Sequence, residues 1–218
     1  MTTPPAPPTD VSPADFAAAR AACALLDARD AATFARGHLE GAGRLSLAEL
    51  PERRAELPAR VTPVLVVHDD PAHARATAEA LVALGYHDVR WLEAPLGALG
   101  DGAVSHAPAV PLWRPSPWLE QVLEALPPGR VLDCACGVSR EGTFLAMRGW
   151  RVEGWDHDPS ALHLAERFAE RHGVELSLRL VDLEHGEPPL DAPMFDVVMS
   201  YRFLHRPALP RLQALVAP

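Results

Sequence analysis

The feature of the sequence that most constrains its fold is a repeated alternation of short apolar segments with segments that stop at a glycine. Val64–Val67 is a continuous apolar run of strand length, which is typical of a buried parallel strand. The Ala-rich segment 72–84 that follows it ends at Gly85, as helices often do. Strands joined through helices in this order form parallel sheets. The sequence therefore predicts an α/β fold.

The alternation occurs in two blocks separated by a Gly- and Pro-rich stretch at 97–117. In the second block, strands are predicted at 130–134, 151–156, 176–181 and 196–201, and helices at 141–148 and 159–172. A chain of 218 residues can hold two small domains, each with its own core. We therefore predict a disordered lead-in over 1–11, a first domain over 12–99, a linker over 100–111 and a second domain over 112–218.

The composition argues against several classes of partner. The formal net charge is −9 and the basic residues are scattered, whereas nucleic acids and anionic membranes bind clusters of Lys and Arg. No apolar run is long enough to span a bilayer, and the first ten residues lack the features of a signal peptide. Cys23, Cys134 and Cys136 fit neither a disulfide framework nor a zinc site. We expect a cytoplasmic protein without a metal, a nucleic-acid partner or a membrane partner.

Three predicted strands of the second block end in an aspartate, at Asp133, Asp156 and Asp182. Small residues follow Asp133 before the next helix, and they would let a ligand approach the backbone and its free N–H groups closely. Asp156 is placed to accept both hydroxyls of a ribose, and Asp182 to accept an adenine amino group. The pattern predicts a nucleoside site. The alternative, that the three acids only cap loops at strand ends, stays open.

A dinucleotide such as NAD is a competing ligand, because its binding fold has the same strand, turn and helix. Its fingerprint requires three glycines in G-x-G-x-x-G, and here only Gly137 and Gly142 are glycines. A carboxylate at Asp133 would repel a pyrophosphate, whereas it suits a cationic ligand with an amino group. We therefore expect the site to prefer such a ligand over NAD.

Over roughly 112–218 the chain resembles the class I S-adenosylmethionine-dependent methyltransferases. The resemblance rests on Asp133-x-Ala135-x-Gly137-x-Ser139, which is similar to the family's acid followed by alternating glycines, and on the strand-like segment 195–201. The form with Ala-Cys-Gly and then Arg is similar to the tellurite- and thiopurine-type branch, whose members act on small molecules. The resemblance implies a doubly wound Rossmann-like fold, S-adenosylmethionine as cofactor and a small-molecule methyl acceptor.

The resemblance also implies roles for individual residues. Gly137 would pack against the cofactor and Asp156 would hold its ribose. Tyr201 and His205, just past the last predicted strand, are candidates for a general base. The cofactor-binding set implied in this way is Asp133, Ala135, Gly137, Ser139, Asp156, Asp182 and Leu183, of which the last two would flank the adenine. The set departs from the family at Ala135 and Ser139, where glycine is commonest.

In this family a segment like 215–218 is followed by a Gly-rich turn and further strands, which this sequence does not contain. We therefore expect an incomplete sheet in which the strand 195–201 is a bare edge. Two interpretations of function stay open. The chain is a methyltransferase, or it is a binding or regulatory protein whose methyltransferase half has lost its chemistry.

The first block resembles the rhodanese-like domain over about 15–99. The resemblance rests on Asp27-x-Arg29 after a short strand, then Phe34, and then Gly-His-x-x-Gly-Ala at 37–42. It implies a small parallel-sheet domain whose catalytic cysteine follows the central strand. That position falls on His68 in this sequence.

The residues around His68 do not suit sulfur transfer. An imidazole cannot carry a persulfide, Asp69 and Asp70 would oppose an anion, and His73 stands where the resemblance implies an arginine. We predict that the domain is not a sulfurtransferase and that it is a scaffold or a docking module for a protein partner. A metal site at these residues is disfavoured because their spacing fits no standard site. His38 is expected to fasten its turn by hydrogen bonds rather than to catalyse.

Overall fold

The computed structural model describes residues 6–100, 104–123, 125–186 and 194–217. The chain folds into two compact units, which span Met1–Arg114 and Pro115–Pro218. Each unit contains a parallel β-sheet with helices in the connections, which confirms the predicted α/β class. None of the helices in the described residues is long and apolar enough to cross a membrane.

The first unit contains a five-stranded parallel sheet and a separate two-stranded antiparallel pair. Its strands are β1 (Thr9–Val11), β2 (Ala24–Asp27), β3 (His38–Leu39), β4 (Gly43–Arg44), β5 (Val64–Val67), β6 (Val89–Leu92) and β7 (Val104–Ser105). The main sheet has the order β1-β6-β5-β2-β4, and β3 pairs with β7. The helices are α1 (Phe16–Ala22), α2 (Ala31–Ala35), α3 (Leu50–Arg53) and α4 (Pro71–Ala83).

The core of this unit lies on both faces of its central strands. Leu26, Val64 and Val66 belong to one apolar cluster, and Leu25 and Leu65 belong to another. All four residues of β5 are buried. This is the environment that its continuous apolar run predicts, because both faces of a parallel sheet are covered by helices.

The lead-in predicted to be disordered over 1–11 differs from the structure at its C-terminal end. Residues 9–11 form β1, an edge strand that pairs in parallel with Arg90–Leu92. Val11 is buried and contributes to the core, which stabilises this strand at the sheet edge. Residues 1–5 lie outside the described part of the chain.

The predicted linker over 100–111 also differs from the structure, in which most of its described residues pack on the first unit. β7 pairs with β3, and the Val110 N–H donates to the Ala42 carbonyl oxygen at 3.1 Å. Leu112 packs against the core, and Gly43 makes room for it, since a Cβ on Gly43 would overlap the Leu112 side chain. The unit extends to Arg114, beyond the predicted linker. Residues 101–103 are outside the described part.

The D-x-R motif of the first unit is a buried ion pair. Asp27 is fully buried, and its carboxylate accepts bonds from the Arg29 side chain at 2.7 to 3.1 Å. The same guanidinium donates to the Gly37 carbonyl oxygen at 2.9 Å and lies 3.4 Å from the Asp69 carboxylate. Arg29 therefore connects the ends of β2 and β5 with the turn at Gly37.

Replacement of this arginine should destabilise the first unit strongly. Arg29→Ala leaves the Asp27 carboxylate buried without its cation, although the backbone N–H of residue 29 still donates to Oδ1 at 3.0 Å. Removal of one partner of a buried ion pair typically costs about 3–5 kcal/mol of unfolding free energy. The matched control is Arg75→Ala, because the Arg75–Glu79 pair is exposed and such pairs contribute at most about 1 kcal/mol. Chemical denaturation of both variants measures the difference. Equal small losses would show that Asp27 does not depend on Arg29.

The second unit is built on a four-stranded parallel sheet with the order β10-β9-β8-β11. Its strands are β8 (Arg130–Cys134), β9 (Arg151–Asp156), β10 (Ser177–Leu180) and β11 (Val197–Ser200). Its helices are α5 (Pro117–Leu123), α6 (Arg140–Ala146), α7 (Pro159–Arg171) and α8 (Leu209–Gln213). Among the described residues of this unit, the largest fully buried side chains are those of Trp155, Phe168 and Phe195. The rings of Trp155 and Phe195 meet edge to face at 6.4 Å between centroids.

The edge at β11, predicted to be bare, is covered at one end. Phe195, just before β11, forms a parallel bridge with Val216. The Phe195 N–H donates to the Leu215 carbonyl oxygen at 2.9 Å, and the Ala217 N–H donates to the Phe195 carbonyl oxygen at 2.8 Å. Residues 215–217 thus satisfy backbone groups that the sequence pattern left unpaired.

Candidate functional site

The loop between β8 and α6 has an unusual backbone. Ala135, Gly137 and Ser139 all have positive φ angles, of 52°, 55° and 46°. Only glycine adopts this region without cost, so the two non-glycine residues are strained. The three positions are those at which the sequence resembles the glycine motif. The motif therefore describes the backbone path of the loop, although two of its glycines are replaced.

Gly137 faces open space. A Cβ built on it would meet no atom within 4 Å, so its Cα side is open to a ligand. Its N–H donates to Asp156 Oδ2 at 2.7 Å, and the Asp158 N–H donates to Oδ1 of the same carboxylate at 2.9 Å. Asp156 is 7% exposed. The structure thus places Gly137 beside Asp156.

The carboxyl group of Asp133 is held under the same loop. It is 3% exposed, and its Oδ2 accepts the Ser139 hydroxyl at 3.0 Å. Burial raises the pKa of Asp133 to about 7; the Ser139 hydroxyl and the Gly142 N–H oppose this rise, and the carboxylates of Glu141 and Asp156 add to it. A buried carboxyl whose pKa is raised this far is typical of functional sites.

Gly142, in the first turn of α6, has a role that the sequence did not reveal. A Cβ on it would overlap the Ser139 hydroxyl and would lie 3.2 Å from Asp133 Oδ2. The start of α6 can approach the Asp133 carboxyl only because this position is glycine. The signal was present in the sequence, but Gly142 stood out there only as a candidate for a dinucleotide fingerprint.

Asp182 and Leu183 follow β10, whose neighbour in the sheet is β9. Asp182 is exposed, and its Oδ1 accepts the N–H groups of Glu184 and His185 at 2.9 and 3.0 Å. These bonds hold the pKa of Asp182 below its ordinary value. Leu183 is 5% exposed and packs in the core with Val181. Asp182 therefore shapes a turn in this structure, and the adenine contacts of both residues stay predictions.

Tyr201 and His205 lie past the end of β11, which pairs with β8. Ser200 is opposite Cys134 in this pairing, so the segment starts at the same sheet edge as the loop. Tyr201 is 37% exposed, and the Arg202 guanidinium lies 5.1 Å from its ring centroid. Arg202 has a positive φ of 63°, a strained conformation of the kind that clusters at functional sites.

The loop after β5 in the first unit uses its own side chains to satisfy its donors. The Asp70 N–H donates to His68 Nδ1 at 2.9 Å, and the Ala72 N–H donates to Asp70 Oδ1 at 2.9 Å. His73 Nδ1 lies 2.8 Å from Asp70 Oδ2. The Ala72 N–H is the main cause that lowers the pKa of Asp70. An anion would have to displace these contacts.

The two imidazoles of this loop are poorly arranged for a shared metal ion. The rings of His68 and His73 stack with centroids 4.9 Å apart and planes 19° apart. Each lone pair lies in its ring plane, so two nearly parallel rings do not converge on one ion. No group of three or more His, Cys, Asp or Glu residues in the described ranges could hold a metal.

His38 fastens its turn in the manner expected from the sequence. It is buried, and its Nδ1 lies 3.1 Å from the Phe34 carbonyl oxygen. Its ring stacks on the Phe34 ring at 3.8 Å between centroids. Both contacts join α2 to β3.

Comparison with known proteins assigns a family to each unit. Residues 12–94 match the model of the rhodanese-like domain, and residues 131–217 match the model of a methyltransferase domain. The probable S-adenosyl-L-methionine-dependent methyltransferase TehB of Haemophilus influenzae (strain 10810) is 25% identical over 85 residues. This match covers 39% of the chain and 30% of TehB, well under half of its length.

The chain contains a rhodanese-like domain followed by a methyltransferase domain.

Solved structures resemble each domain. The crystal structure of TehB from Haemophilus influenzae is 23% identical, covers 44% of the chain and 34% of TehB, and has a TM-score of 0.39. A rhodanese-related protein from Thermoplasma volcanium is 21% identical, covers 45% of the chain and 99% of that protein, and has a TM-score of 0.41.

The strain in the methyltransferase loop gives a prediction about stability. Ala135→Gly should stabilise this domain by about 0.5–1 kcal/mol, because relief of the left-handed strain exceeds the entropy that glycine loses on folding. The control is Ala161→Gly in α7, which should destabilise the domain by about 1 kcal/mol. Thermal unfolding measures both. A destabilised Ala135→Gly variant would show that the Ala135 side chain contributes packing that outweighs the strain.

Proposed function

We propose that the methyltransferase domain binds S-adenosylmethionine at the loop 133–140 and transfers its methyl group to a small-molecule acceptor. The observation that carries the proposal is the pair formed by Gly137, which is open on its Cα side, and the Asp156 carboxylate, bonded to its N–H at 2.7 Å. A carboxylate at the end of the second strand can accept ribose hydroxyls. The match to the methyltransferase domain model supports the same ligand.

The residues present fit this cofactor better than they fit NAD. Asp156 places a carboxylate at the loop, and Glu141 adds a second on α6. A pyrophosphate would be repelled there, whereas a ligand with a sulfonium and an ammonium group would be attracted. The conclusion depends on charge, because the strand–turn–helix geometry is common to both ligand classes.

Bound S-adenosylmethionine supplies an electrophilic methyl group on its sulfonium, so the protein has mainly to align a nucleophile with it. The segment after β11 is the part of the chain that we propose for this task. Tyr201 and His205 are the candidates for a general base there, if the acceptor must lose a proton. The small-molecule nature of the acceptor is inferred from the resemblance of the loop motif to small-molecule methyltransferases.

Cofactor binding can be tested directly. We expect S-adenosylmethionine and S-adenosylhomocysteine to bind with measurable affinity in calorimetry, and NAD not to bind. Asp156→Ala should weaken binding at least tenfold, because a hydrogen bond to a charged group contributes about 1.5–3 kcal/mol. Asp156→Asn keeps an oxygen for the Gly137 N–H and tests the charge alone.

The matched control is Glu170→Ala, which removes an exposed carboxylate of α7 with the same change in net charge. It should bind as the parent does. If neither adenosyl ligand bound, or if Asp156→Ala bound as tightly as the parent, the loop would not be a nucleoside site.

We further propose that the rhodanese-like domain transfers no sulfur and docks a protein partner instead. Its loop carries His68 where a nucleophilic thiol would stand, and its N–H groups at Asp70 and Ala72 are already paired. Cys23 cannot replace the thiol, because it precedes β2 and so lies at the opposite end of the parallel strands from His68. Unpaired cysteines also suit the cytoplasmic location expected from the sequence.

The absence of sulfur transfer can be checked with a thiosulfate:cyanide assay. We expect no thiocyanate above the uncatalysed rate, from either the parent or the Cys23→Ala variant. Turnover by the parent that Cys23→Ala abolished would contradict the proposal and would identify Cys23 as the nucleophile.

A further inference from the structure

Glu153 is a buried carboxylate on the sheet of the methyltransferase domain. It is 9% exposed and lies opposite Leu132, a core residue, in the pairing of β9 with β8. A charge in such a place is costly unless it is paired and hydrogen-bonded. Its Oε1 accepts the Trp155 Nε1–H at 2.7 Å and lies 3.6 Å from the Arg179 guanidinium of β10. An apolar side chain would need neither contact, so the presence of a carboxylate points to a task at Trp155.

The Trp155 indole needs an acceptor because the whole side chain is buried. An indole nitrogen can only donate, and a buried donor without a partner is unfavourable. The indole ring meets the Phe195 ring edge to face in the apolar cluster of this domain. Glu153 supplies the acceptor at one end of the indole, and it therefore fixes the direction in which the ring lies in the cluster.

Trp155 is connected to both sides of the proposed cofactor site. Its carbonyl oxygen accepts the Cys136 N–H at 3.0 Å, which joins the loop after β8 to β9. The residue that follows it is Asp156, the proposed partner of the ribose. Its side chain belongs to the same apolar cluster as Val181 and Leu183, which follow β10 on the side proposed for the adenine. The orientation of this one indole thus affects both walls of the site.

We propose that Glu153 is a positioning residue of the cofactor site: it holds the Trp155 indole and, through it, the segments that flank the adenosine part of the ligand. The inference rests on the proposed cofactor site. Glu153 lies three residues before Asp156, about 10 Å along the strand, so it acts through Trp155 rather than by contact with the ligand. Without Glu153 the indole can satisfy its N–H only by moving. The ligand must then bring the indole back before it binds, so the loss appears as reduced affinity.

Two replacements of Glu153 test this role by calorimetry. Glu153→Gln keeps an oxygen for the indole N–H, whereas Glu153→Leu has a similar volume and no acceptor. We expect Glu153→Leu to bind S-adenosylhomocysteine about fivefold more weakly or worse, the factor that corresponds to one unmet hydrogen bond. Adenosine should lose the same factor, and Glu153→Gln should bind as the parent does. The control is Glu166→Leu, which removes an exposed carboxylate of α7 and should leave the affinity unchanged.

A double-mutant cycle shows whether Glu153 acts through Trp155. Trp155→Phe keeps an aromatic ring in the cluster but has no N–H that requires an acceptor. In this background Glu153→Leu should cause no further loss of affinity. The same loss in both backgrounds would show that Glu153 has only a general structural role, and would overturn the inference.

The parent protein gives a test that does not depend on the folding of the leucine variant. The indole N–H signal of Trp155 in a ¹H–¹⁵N spectrum is identified by its absence in Trp155→Phe. Because coupling between two sites is reciprocal, S-adenosylhomocysteine should slow the hydrogen exchange of this N–H. Unchanged exchange on binding, or a folded Glu153→Leu that binds as tightly as the parent, would overturn the inference and leave the cofactor site intact. A parent that binds no adenosyl ligand would overturn the site, and the role of Glu153 with it.

Discussion

The parallel pairing of β9 with β8 and β10 is the constraint on which the methyltransferase site depends. Asp133 is paired with Gly154 and Leu180 with Asp156, so the carboxyl ends of the three strands are fixed in one register. A shift of one residue would turn each aspartate to the other face of the sheet. The core residues Leu132 and Trp155 hold this register, because they lie next to Asp133 and Asp156 and are fully buried. Packing in the core thus sets the geometry of the polar site.

The loop after β8 is held by hydrogen bonds that offset its strained backbone. Ala135 and Ser139 occupy the left-handed region, where each non-glycine residue loses roughly 1–2 kcal/mol. The Ser139 hydroxyl donates to Asp133 in return, a bond that a glycine could not make. The Ser139 side chain therefore has a structural reason to be there. Ala135 has no such bond among the described contacts, and nothing in the structure explains it.

Much of this architecture could be predicted because it depends on local patterns. The run Val64–Val67 predicted β5, and the acids that end apolar segments predicted Asp133 and Asp156 beside a loop of small residues. The predictions that differ from the structure involve contacts distant in sequence. The pairing of β7 with β3 and the packing of Leu112 beside Gly43 each join residues about seventy positions apart. The periodicity of a sequence does not reveal such contacts. The bridge between Phe195 and Val216 is likewise a contact that the sequence pattern did not reveal.

The loop between β5 and α4 and the loop between β8 and α6 have the same position in their folds but differ in their contacts. Each follows a buried parallel strand and leads into a helix, where N–H groups are free to meet a ligand. In the rhodanese-like domain, two of these N–H groups already donate to the side chains of His68 and Asp70, so a ligand would have to replace these hydrogen bonds. In the methyltransferase domain the Cα side of Gly137 stays open, and the Asp133 carboxyl of the same loop is buried. The open space at Gly137, rather than the loop's position in the fold, distinguishes the loop that we expect to bind a ligand.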